Sequence, residues 1–85
     1  MPKNAKEKFT EDELAQLKKL AKRIKTLRIS KGYTNYEHLA NESGLSRTQY
    51  GKYEVGDNLK FLTLLKVLQA LDISIADFFS EGFKD

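Results

Sequence analysis

Apolar residues recur at three- and four-residue steps from Leu14 through Leu17, Ala21, Ile24 and Leu27, while Lys18, Lys19, Lys22 and Lys25 fill the other side. This is the period of an amphipathic helix. Thr10 stands before it as an N-cap, and Glu11, Asp12 and Glu13 place acids in the first turn, at the positive end of the helix dipole. Gly32 stops it. A helix of about 20 residues is about 30 Å long, more than the packed body the remaining residues can build, so its first turns are expected to overhang.

Thr34-Asn35-Tyr36-Glu37 has the form of a capping box, with the Thr34 hydroxyl and the Glu37 carboxylate each satisfying a backbone N–H. A second helix is therefore predicted to run to about Ser43. Gly44 supplies the permissive backbone of a tight turn, and Ser46-Arg47-Thr48-Gln49 repeats the box to open a third helix that ends near Val55-Gly56. Phe61, Leu64, Leu65, Leu68 and Leu71 then put the central core helix over residues 60–71, and Ser74 caps a short last helix carrying Ile75, Phe78 and Phe79. The chain reads as all-α, in five helices. Residues 1–9 form a polar tail, residues 10–79 the domain, and residues 80–85 a C-terminal tail.

A chain of 85 residues carries one small core and little room for a catalytic cleft. With no cysteine and a single histidine, His38, it offers no disulfide, thiolate nucleophile or histidine cluster. No Gly-rich phosphate loop or nucleophile–base set is found, and Asp72 and Asp77 read as loop chemistry and a helix first turn. No enzymatic activity, cofactor or metal is expected, nor any ligand-sensing pocket beyond the core. No apolar stretch approaches the roughly 20 residues needed to span a bilayer, and the start is polar, so a cytoplasmic protein is expected.

The net charge of +3 hides an asymmetry: residues 1–31 hold ten Lys/Arg against four acids, residues 32–85 five against eight. Bulk charge therefore decides little, and function has to be read from local pattern. Within residues 36–55, Leu39 and Ala40 are followed by Gly44-Leu45 and then by Tyr50 and Tyr53. Two short helices crossing near a right angle need a small residue where their backbones meet (Ala40), a glycine in the turn (Gly44) and apolar side chains closing the wedge (Leu39, Leu45, Tyr50, Tyr53). That is a helix-turn-helix, at about residues 35–55.

The segments from Gly32 to Ala40 and from Gly44 to Gly56 resemble the Xre-type family of phage repressors and Cro proteins, and the resemblance extends from about Arg23 to Phe79. It takes in Ile24, Arg28, the leucine-rich run 61–71 and the stretch 73–79. It implies a compact five-helix lambda-repressor-like DNA-binding domain, here with an N-terminally extended first helix. It also implies a transcriptional repressor that lays its third helix in the major groove, with Arg47, Thr48, Lys52 and Gln49 facing base edges. Backbone contacts are expected from Asn35, Tyr36 and Ser46 at helix N-termini and from Asn58 and Lys60 in the following loop. By the same resemblance Arg28 and Glu54 form a structural ion pair, and the protein works as a homodimer on double-stranded DNA. Phe78, Phe79, Phe83, Leu62 and Leu14 are the apolar candidates for dimer contacts. An alternative is a protein-interaction module, or an antitoxin, that uses the fold with weak or no DNA readout and engages a toxin or anti-repressor.

Six positions depart from the family pattern, beginning with Asn35 and Tyr36, which stand where glutamine and a polar residue are common. Ser43 occupies a normally apolar place, Tyr50 and Tyr53 replace aliphatic residues and need hydroxyl partners, and Gly51 lies inside the third helix at a cost of about 1 kcal/mol relative to alanine. Close packing is the reading for Gly51.

Overall fold

The computed structural model describes residues 8–84, so most of the tail expected over residues 1–9 lies outside the described residues. Five helices follow in order: α1 (Glu11–Ser30), α2 (Tyr36–Glu42), α3 (Arg47–Glu54), α4 (Phe61–Leu71) and α5 (Ile75–Phe78), with no strand among the described residues. None of these helices is long and apolar enough to cross a membrane.

Local chemistry explains where each helix begins and ends. The Thr10 hydroxyl accepts from the Glu13 N–H at 3.0 Å while the Glu13 carboxylate takes the Thr10 N–H at 2.8 Å, a reciprocal box at the start of α1. At its other end the Gly32 N–H returns to the Ile29 carbonyl and the Tyr33 N–H to that of Arg28, with Gly32 at φ +93°. This is a Schellman closure, which needs the left-handed residue glycine supplies.

The start of α2 differs from expectation. Asn35, not Thr34, is the cap: its side-chain oxygen accepts from the Glu37 N–H at 2.7 Å. An Asx acceptor reaches the N–H two residues on, so the helix opens one residue later than a Thr34 box would place it. The box at α3 is only half formed, because Ser46 accepts from the Gln49 N–H at 3.0 Å while the Gln49 side chain turns along the helix to Tyr53.

Inside, α2 packs on α3 and α4, α1 on α3, and α4 on α5. Ile24, Leu39, Ala40, Tyr50, Val67, Leu71 and Phe78 are the most deeply buried side chains, joined by Leu27, Leu45, Leu64 and Leu68. Ser43, buried where an apolar residue is usual, donates its hydroxyl back to the Leu39 carbonyl at 2.8 Å and so leaves no polar group unpaired. The core ends abruptly toward the start of α1, whose buried residues begin at Ala21. The turns before it overhang, as its length implies.

Under that overhang lies a groove of about 530 Å³, lined by Phe9, Leu17, Leu20, Phe61, Phe79 and Phe83 and edged by polar side chains that include Asp12 and Asn58. No concavity beyond the core was expected. It exists because α1 outruns the elements beneath it, and for the same reason Phe61, expected in the core, is 59% exposed: it opens α4 facing the groove and not packed atoms. Phe78 is corrected in the opposite sense. It is fully buried at the foot of α1 and α4, so it cannot serve as a dimer contact.

Candidate nucleic-acid interface

Helix α3 presents one face to solvent and anchors the other. The anchor starts from Arg28 of α1, whose Nε donates to Glu54 at 2.6 Å, with a second donor at 3.3 Å and a third to the Tyr33 carbonyl. Both partners are almost completely buried. A buried charge is tolerated when it is paired and its remaining donors are used, and the pair Arg28–Glu54 meets both conditions. Tyr50, one turn before Glu54 and wholly buried, adds its hydroxyl to the same carboxylate at 2.6 Å. Burial, reinforced by that carboxylate, pushes the Tyr50 phenol above its ordinary range, so the hydroxyl stays a donor.

On the outer face Arg47, Thr48, Gln49 and Lys52 are all exposed. Thr48 and Lys52 lie one turn apart, on the same side of the helix. Gln49 is partly engaged, donating to the Tyr53 hydroxyl at 3.3 Å. Arg47 begins α3 with its guanidinium carbon 6.0 Å from the centre of the Tyr36 ring.

The expected backbone contacts divide. Asn35 and Ser46 sit exposed at the starts of α2 and α3, each satisfying one helix N–H. Lys60 is exposed at the start of α4 and makes no cap hydrogen bond. Asn58 is exposed as well, but it borders the groove under α1. Tyr36 is turned inward: it is half-buried, its ring 5.8 Å from that of Tyr50 and its hydroxyl 3.3 Å from where a Cβ on Gly51 would stand. His38, read as a surface residue, is exposed and faces Glu42 at 3.5 Å. Glu42 also accepts from the Tyr33 hydroxyl at 2.9 Å, which holds that phenol above its ordinary value.

Of the apolar candidates for contact with a second copy, Leu62 is 65% exposed and Leu14 and Phe79 are also exposed, whereas Phe83 is half-buried against Phe79. One structural residue was passed over in the sequence. Arg23 donates to the carbonyls of Phe78 at 2.8 Å and Asp77 at 2.9 Å, tying α1 to the end of α5. Its one signal was an arginine among the lysines of α1, at a position where a forked donor can take two acceptors.

Compared with known families, residues 24–78 match a model described as helix-turn-helix. The match begins inside α1 and leaves the overhanging turns outside it. No curated protein matches the chain.

Proposed function

Because this chain belongs to the Xre-type helix-turn-helix family of DNA-binding regulators, we propose that it represses transcription as a homodimer, reading a specific duplex sequence in the major groove with α3. The carrying observation is the division of labour on that helix. Tyr50 and Glu54 are consumed in holding it, while the exposed side chains of Arg47, Thr48 and Lys52 make no hydrogen bond or ion pair among the described residues. Arg47 has the forked donors to take a guanine edge bidentately, Thr48 a methyl or hydroxyl for a base edge, and Lys52 a point charge for guanine or phosphate. Gln49 contributes on release from Tyr53. Asn35, Ser46 and Lys60, with Asn58 beside them, contact the backbone and set the register.

One helix of this length reads only a few base pairs, which supports two copies on half-sites about one helical turn apart. Anisotropy titrations of random and selected duplexes at several salt concentrations, with wild type and Arg47→Ala, test the proposal. A steep salt dependence and a tight selected site whose preference vanishes in the variant are expected. Weak, equal binding of every duplex, unaffected by Arg47→Ala, would sink it. A second reading, a protein-interaction module that engages a toxin or anti-repressor, draws on the apolar groove under α1. It predicts full activity in cells for the Arg47→Ala/Lys52→Ala double variant.

A further inference from the structure

Arg47 and Gly51 pose one question between them. The first is an exposed side chain for which no hydrogen bond or ion pair is found among the described residues, yet DNA readout needs it aimed. The second breaks the helix-forming pattern of α3 where alanine would be favoured. Both touch Tyr36. Its ring has Arg47 at 6.0 Å and Arg28 at 5.9 Å, each measured from guanidinium carbon to ring centre, and it leans on the buried Tyr50 ring. Its hydroxyl stands 3.3 Å from where a Cβ on residue 51 would lie, tighter than ordinary contact.

We infer that Tyr36 is a positioning residue for base readout: its ring, seated against α3 in the space left by Gly51, stacks on Arg47 and fixes the direction of that guanidinium. The physics runs outward from the core. Arg28 is immobilised by Glu54 and the Tyr33 carbonyl, and with the wall of Tyr50 it leaves the Tyr36 ring little freedom. An aromatic face within about 6 Å attracts a cation, so a flexible side chain is held in one orientation before DNA arrives. Ordering cost is then met in folding and not in binding. The inference rests on the reading of α3 as the recognition helix, and the experiment separates the two.

The protein is compared with Tyr36→Leu, which keeps apolar bulk and removes the ring, and Tyr36→Phe, which keeps the ring and removes the hydroxyl. Each is made with and without Arg47→Ala, and thermal unfolding checks that all are folded. In the free protein, side-chain NMR should show the Arg47 methylene and Nε protons shifted upfield by the ring in wild type and Tyr36→Phe, and unshifted in Tyr36→Leu. On DNA, Tyr36→Leu should lower preference for the selected over the random duplex by about two- to fivefold. The loss should disappear in the Arg47→Ala background, while Tyr36→Phe keeps the preference. Absence of a ring shift in wild type overturns the inference whatever the DNA result. So does an equal loss on all duplexes from both Tyr36 variants, which would mark the hydroxyl as a plain backbone contact. If instead Arg47→Ala itself leaves the preference intact, the recognition-helix reading fails first, and this inference with it.

Discussion

Glu54 gathers three donors on one carboxylate: two from Arg28 and the Tyr50 hydroxyl. Deleting either member of the ion pair leaves the other buried and uncompensated, a loss of about 3–5 kcal/mol. Urea titrations should show the unfolding free energy of Arg28→Ala and of Glu54→Ala lowered by that amount, with the midpoint falling in proportion, and the double variant should lose much less than the two losses added. Tyr50 adds a pH dependence. Its folded-state value is raised, so its contribution is complete below the unfolded tyrosine value near 10 and is lost as pH rises toward the folded one. Stability should therefore fall above about pH 10, by up to about 1.4 kcal/mol per pH unit for this one group. Urea unfolding between pH 8 and 11 should find a shallower fall in Tyr50→Phe. Some slope persists there, because Tyr33 is shifted in the same direction. None of this could be read from the tyrosine alone. A phenol in an aliphatic position announces the need for a partner, and Glu54 four residues on lies within its reach along α3, but the burial that raises the phenol follows only from the packing of the whole core.

Helix ends and periodicities were legible in the sequence where the signal is local. Thr10, Ser46 and Ser74 cap as their positions suggest, and Gly32 and Gly44 turn the chain at φ +93° and +75°. At α2 two adjacent residues could each cap, and backbone geometry chose Asn35 over Thr34. Spacing placed Phe61 with the core residues of α4, but spacing says nothing of whether an opposing element packs on it, and here the start of α1 stands off across an open groove. Gly51 is the clearest element-scale case. Alanine inside a helix should add about 1 kcal/mol, but here its Cβ would come within 3.3 Å of the Tyr36 hydroxyl, tighter than ordinary contact. Gly51→Ala is therefore expected to be close to neutral in wild type and stabilising by about 1 kcal/mol in Tyr36→Phe, where the obstructing oxygen is gone. Chemical denaturation of the four proteins reads the coupling directly, and equal stabilisation in both backgrounds would mean that the two side chains do not compete for space.

At the scale of the molecule, one 20-residue helix carries the family domain on its second half and an overhang on its first. The exposed side chains of α3 proposed to read DNA and the exposed apolar ones at Leu62 and Phe79 lie on different parts of the fold. Reading and pairing should therefore be separable by mutation. Leu62 is 65% exposed, so a charge there costs the folded chain little, but it would be costly inside an interface between two copies. Leu62→Glu should unfold at the wild-type midpoint and bind a duplex holding a single half-site as wild type does. It should lose at least about tenfold on a duplex with two half-sites one helical turn apart, a cost of about 1.4 kcal/mol. Moving the half-sites by about half a turn should weaken wild type in the same way, because a two-fold pair fixes the distance and facing of its recognition helices. Wild-type binding indifferent to half-site spacing would mean that each copy binds alone, with specificity then confined to the few base pairs one α3 can reach.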